Sequence, residues 1–361
     1  RGSQIMANGT AANPITFSSL DNNFDGLGEW GGVVIQGFAP HFGTGNTGVC
    51  SGSGAGTVCN VEGEGGSDVE SSLFGGNLPA DNSGVMRYVR IAEGGLVAGP
   101  NNEVNGLTLQ GVGHGTTLEY IQVHNNLDDA FEWFGGTVNA RYIVATGNDD
   151  DDIDFDEGWR GNVQYALAVK SQDKPSPTGS NDPRGVEANS GNEDYVPQTN
   201  GALANITVVG GPLVNSPNTE RPGLLLRGAV TASIYNSSVQ GFDTACVQIQ
   251  DADTDGSGSP DVFGAITLIN VLGNCADGYY SGARVADQDD NAGPLMFSLD
   301  SALALDATSG SLASPVAIPA VANGSGFTFD ATDYIGAVEP GTAVGDAWWS
   351  GWTIPGSLDL N

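Results

Sequence analysis

The sequence predicts an all-β chain wound as a parallel β-helix, a β-solenoid in which short strands stack rung upon rung. Three observations carry this expectation. One pattern is written twice, about 22 residues apart, between Leu127 and Val169: Asp128 falls on Asp150, Asp129 on Asp151, Phe131 on Ile153, Glu132 on Asp154, Trp133 on Phe155 and Gly136 on Gly158. The next half of the pattern follows, with 140–145 matching 163–168 at an offset of about 23. Finally, glycine contributes 55 of 361 residues, about twice the usual share, and clusters with Asn and Asp between the strand-like stretches. A turn of such a coil cannot bury its apolar face alone, so it stacks on its neighbour.

Taken in order, residues 4–19 read as a strand, a tight turn at Asn8-Gly9, and a second strand with Pro14 at its start. GEWGGVVIQG at 28–37 is a glycine-flanked apolar strand, with Trp30 expected in the core. Residues 38–82 are Gly/Ser-rich without periodicity and read as an excursion from the coil.

From Gly84 the coil becomes regular. One strand recurs at 86–94, 118–126, 140–148, 163–171, 203–211, 231–239 and 264–272. A second recurs at 106–113, 130–137, 152–159 and 223–230. Tyr88, Tyr120, Tyr142 and Tyr165 fall in one register, which predicts a tyrosine ladder with a packing role.

Polar, Pro-rich residues 171–200 form a second excursion, and 251–261 a shorter one. Beyond about 285 the periodicity fades into an irregular region, where Trp348, Trp349 and Trp352 are expected to cap the end of the core. The whole chain, 1–361, reads as a single domain.

Net charge is −32, with only 11 Lys and Arg, which argues against nucleic acid and anionic membrane surfaces as partners. No apolar run approaches a membrane span, so membrane insertion is not expected. The four cysteines suggest two bridges. Cys50 and Cys59 bracket a flexible loop, and Cys246 and Cys275 lie one long rung apart, so stacking can bring them together. This cysteine usage points to an oxidising compartment, extracellular or at the cell surface.

The stacking has a chemical consequence. Residues one period apart on adjacent rungs sit about 4.8 Å apart, so carboxylates stacked on carboxylates repel unless a cation lies between them. Seven carboxylates occur in the nine residues from Asp149 to Glu157, interleaved with Ile153 and Phe155 in a strand-like pattern. Hard oxygen donors converging in this way suit Ca²⁺. The expected ligands are Asp128, Asp129, Glu132, Asp150, Asp151, Asp152, Asp154 and Asp156. Asp251, Asp253 and Asp255, followed by Gly256, match the first half of a calcium loop, although Val262 stands where its last carboxylate belongs.

GEWGGVVIQG, the stretch from Asp128 to Gln164, and the terminal YIGA…WWSGWT resemble a group of secreted bacterial proteins placed among right-handed parallel β-helices of the pectate-lyase-like superfamily. The resemblance implies fold and an extracellular setting, and it invites two enzyme readings. A Ca²⁺-dependent polysaccharide lyase would need a base such as Arg141, Arg160 or Lys170, yet so acidic a site repels polyuronate. A polygalacturonase-like hydrolase would use Gly113-His114-Gly115 with Asp128-Asp129, but the order is reversed and the Arg-x-Lys partner is missing. No catalytic residue is therefore assigned.

The expectation is a secreted or cell-surface, calcium-stabilised structural or adhesive β-helix. The alternative is binding of an extracellular polysaccharide through exposed Tyr and Trp, or lyase or hydrolase action on extracellular glycans. The first residues already read as a rung, which raises end-to-end self-association into filaments as a further expectation.

Overall fold

A computed structural model describes residues 1–21, 23–42, 61–62, 73–99, 102–172, 183–190, 196–211, 221–250, 264–282, 287–288, 293–306 and 316–360. The chain forms a right-handed parallel β-helix whose strands alternate between two long sheets. Among the described residues there is no α-helix, hence none long and apolar enough to cross a membrane.

The first sheet runs, in sequence order, through Ile5–Asn8, Gly84–Ala92, Thr117–His124, Ala140–Thr146, Asn162–Val169, Asn200–Val209, Thr231–Gln240, Ile266–Asn274 and Asp287–Gln288. Ile15–Phe17 and Gly293–Pro294 extend its two ends. The second sheet runs through Val33–Gln36, Leu107–Gln110, Phe131–Phe134, Ile153–Asp156, Val186–Ala188, Leu224–Arg227, Val247–Gln250 and Tyr280–Gly282.

Parallel register places like on like. Met86, Leu118, Ala140, Val163, Leu203, Ile234 and Leu268 form one inward column of the first sheet. Leu109, Trp133, Phe155, Ala188, Leu226 and Ile249 form its counterpart on the second. These side chains are buried and make one continuous core between the sheets.

The expected register holds through Leu203 and then slips. Leu203 lies opposite Ile234, three residues beyond the expected Thr231, and Leu268 follows in the same column. A backbone bend repeats from rung to rung while its residue type changes. Tyr88, Tyr120, Tyr142 and Tyr165 share positive φ values of 49–62°, and the same bend continues at Asn205, Asn236 and Asn270 with φ of 53, 46 and 54°. The tyrosine rings stack at 4.4, 4.4 and 4.8 Å, as expected of a ladder. Beyond them asparagine, which tolerates the left-handed region, takes over, and Asn270 donates to Asn236 Oδ1 at 2.8 Å.

Two further expectations change. The excursion at 171–200 contains a full rung strand, Val186–Ala188, buried along its length. The tryptophans do not close the end of the core. The irregular C-terminal region lies along the outer face of the first sheet, where Val144, Leu167, Val169 and Val209 point outward and need cover. Trp352 packs edge-on against Tyr88 and Tyr120, and Trp348 against Tyr142. The tail's amides are received by outward polar side chains of successive rungs: Ile354 by Gln122 at 2.7 Å, Asp330 by Gln164 at 2.9 Å and Ala337 by Thr207 at 2.9 Å.

Cys246 and Cys275 form a disulfide, with Cα atoms 5.4 Å apart. Cys50 and Cys59 lie outside the described residues.

Candidate metal centre

The acidic residues collect at one edge of the second sheet, where the chain turns into each of its strands. Asp128 and Asp129 precede Phe131–Phe134, and Asp150 to Asp152 precede Ile153–Asp156. Stacking is enforced by bonds from backbone amide to carboxylate between rungs: the Asp151 amide donates to Asp129 Oδ1, and the Arg184 amide to Asp151 Oδ1, each at 2.8 Å. Arg184 thus takes on the third rung the place that Asp129 and Asp151 hold on the first two. Glu132, Asp154 and Glu187 form the adjacent outward column.

Two carboxylate triads converge here, Asp128–Asp129–Asp150 and Asp129–Glu132–Asp154, each with ligand oxygens within 4.8 Å of one another. Oxygens bound to one Ca²⁺ at about 2.3–2.6 Å lie no more than about 5 Å apart, so each triad fits the ion. One oxygen of Asp154 is buried without a partner among the described residues. The fully buried hydroxyl of Thr108, also without a partner among the described residues, stands beside Glu132 in the same column.

Burial pushes the Asp129 carboxyl well above the usual carboxylate range, and repulsion from Asp151, Asp150, Asp154 and Asp128 adds to it. Burial, then Asp151, raises Asp154 to about 7. No basic side chain lies at salt-bridge distance from either of these two residues among those described.

The other expected ligands are engaged differently. Burial raises Asp151 while Arg184, 3.5 Å away, opposes the shift. Asp152 pairs with Lys170 at 3.2 Å and accepts from Asn148. Asp156 sits beyond Asp154 on the strand and joins neither triad. Glu187, which the sequence reading did not single out, is held by Arg184 and Arg227. Asp251, Asp253 and Asp255 lie outside the described residues.

A third convergence, of Asp21, Glu29 and Glu93, also escaped the sequence reading. Its signal was present: Asp21-x-Asn23-x-Asp25-Gly26 has calcium-loop spacing. Glu93 is fully buried and accepts from the Ser19 hydroxyl at 2.9 Å, and a Cβ on Gly26 would meet Glu29 Oε1 at 2.1 Å.

The enzyme arrangements are not assembled. His114 follows the strand Leu107–Gln110, whereas Asp128 and Asp129 precede Phe131–Phe134, so they occupy opposite edges of the second sheet. Of the suggested bases, Arg141 pairs with Asp330 of the tail on the first sheet, and Lys170 pairs with Asp152. The ladder tyrosines lie beneath the tail tryptophans instead of forming an open aromatic face. A cleft of about 570 Å³ opens elsewhere, where Phe24, His124, Asn125, Lys170 and Gln172 meet Ile354 and Ser357.

A family model described as a pectate-lyase-like beta helix domain matches residues 1–274. The chain belongs to that family. No curated protein matches this pectate-lyase-like chain. Among solved structures, the A-module of a mannuronan C-5 epimerase from Azotobacter vinelandii is similar at 11% identity, covering 58% of this chain and 70% of that one with a TM-score of 0.26.

Proposed function

We propose that this pectate-lyase-like β-helix is an extracellular or cell-surface scaffold whose central rungs are locked by Ca²⁺. The observation that supports it is the convergence of carboxylates on adjacent rungs, with one buried Asp154 oxygen and the Thr108 hydroxyl left without partners among the described residues. One rung further on, between Asp151 and Glu187, the chain supplies Arg184 as its own cation. Between the Asp129 and Asp150 rungs an external ion does the same work, screening charges that backbone pairing holds together. Ca²⁺ suits the site because the donors are oxygens alone.

Melting the protein in Ca²⁺ and in chelator at low ionic strength tests this. An ion at 100 times its Kd adds about 2.7 kcal/mol, which should raise the Tm by several degrees. An unchanged Tm would overturn the reading.

A second reading, carbohydrate binding, is favoured by the cleft beside His124. Its amide and hydroxyl side chains and the apolar Phe24 and Ile354 suit a saccharide better than an apolar ligand. Titrating neutral and uronic oligosaccharides while following amide NMR signals at Asn125 and Gln172 tests it, and unmoved signals across the panel would remove it.

A further inference from the structure

Asp129 belongs to both carboxylate triads, and the four residues around it do not meet at one point. Asp128 and Asp150 converge with it in one triad, Glu132 and Asp154 in the other. Its placement is fixed from three directions: Oδ1 accepts the Asp151 amide at 2.8 Å, and its backbone carbonyl accepts the Gly106 amide and the Asn126 side-chain amide, each at 2.8 Å. The residue is 7% exposed, so its side chain has little room to choose one triad over the other. Thr108, whose hydroxyl is fully buried and without a partner among the described residues, stands on the Glu132 side alone. The register sets it one rung before Glu132 and two before Asp154, at the edge of that triad.

Resting on the cation reading above, we propose that the ladder holds two divalent cations, bridged by the Asp129 carboxylate. One is bound by Asp128 and Asp150, the other by Glu132 and Asp154. A single ion in either triad leaves the other as a cluster of like charges at ligand distance. Two ions about 3.5–4 Å apart, the spacing usual for carboxylate-bridged pairs, satisfy both. Because the bridge is common, the sites are unequal in what they tolerate: a change at a flanking residue removes one ion, and a change at Asp129 removes both.

Equilibrium dialysis against Ca²⁺, with metal measured by elemental analysis, reads the stoichiometry. Because each variant is compared with the unaltered chain, any ion held elsewhere cancels. Asp128→Asn and Glu132→Gln should each lower the bound Ca²⁺ by one per chain, their combination by two, and Asp129→Asn by two. Near-UV circular dichroism identifies which variants are folded. If Asp129→Asn does not fold, additivity of the Asp128→Asn and Glu132→Gln losses decides. Should the two single changes remove the same one ion, so that the combination loses no more than either, the bridged pair is wrong and a single-cation site stands. If no variant changes the stoichiometry, the cation reading falls with it.

Discussion

Arg184 and Glu187 form a buried ion pair at 2.5 Å on the third acidic rung, and the same guanidinium reaches Asp151 at 3.5 Å. The acidic ladder therefore has a built-in cation at this step, as Lys170 is for Asp152.

Replacing Arg184 with methionine leaves Glu187 and Asp151 buried without that partner. Breaking one side of a buried pair costs about 3–5 kcal/mol, whereas replacing both sides is far milder. Arg184→Met should lower the urea midpoint strongly, and adding Glu187→Leu should recover part of the loss. Equal midpoints for the single and double variants would show that the pair is not coupled.

In the cation-free protein, stability should fall as pH rises through neutrality. Burial raises Asp154 to about 7, with repulsion from Asp151 adding to it, and burial alone raises Glu157 to about 7, both above their ordinary values of 3.8 and 4.5. A carboxyl raised on folding contributes stability that is fully present below its unfolded pKa and lost as pH climbs through the folded value. With chelator present, the Tm at pH 5.5 should exceed that at pH 8. Ca²⁺, which binds the deprotonated form, should flatten or reverse this slope.

The left-handed column makes a backbone prediction. Asn236 has φ of 46°, donates to Thr332 Oγ1 at 3.1 Å and accepts from Asn270. Alanine and glycine both lose these bonds, but only alanine is strained at this φ. Asn236→Ala should be less stable than Asn236→Gly by about 1 kcal/mol in chemical denaturation, the reverse of the order in an ordinary strand.

Trp352 is 1% exposed, packs against Tyr88 and Tyr120, and donates its indole N–H to the Trp348 carbonyl at 2.8 Å. Trp352→Ala should cost about 3–5 kcal/mol and expose the tyrosine ladder to quenchers in fluorescence. A change below 1 kcal/mol would mean that the tail is a loose cover.

The sequence made the coil legible where side chains repeat in kind. Tyr88 through Tyr165 marked the register to Leu203, and Asp128 and Asp129 over Asp150 and Asp151 marked the acidic edge. Legibility failed where the backbone repeats but the residue changes. Asn236 and Asn270 continue the tyrosine bend without resembling it, so the last two of these rungs slipped, by three residues and by four. The rung Val186–Ala188 is too short and too closely bracketed by polar residues to show a period. Tail placement was illegible for another reason: what selects it is the outward apolar patch of Val144, Leu167 and Val209, which no local pattern in the tail encodes. The convergence of Asp21 and Glu29 on Glu93 joins a loop to the neighbouring strand's end, a long-range contact that spacing alone hints at only through Asp21, Asn23 and Asp25.

A solenoid whose turns touch only their immediate neighbours can fray from either end, losing one repeat at a time in many small steps. The C-terminal tail removes that freedom. It crosses the turns lengthwise, bonding to Gln122, Gln164, Thr207 and the Asn236 carbonyl on four different turns. Peeling any one of them away disturbs a segment that also grips the others, so loss of a single turn is penalised across the whole stack. The tail acts as a lengthwise splint, converting a chain of nearest-neighbour equilibria into one all-or-none transition.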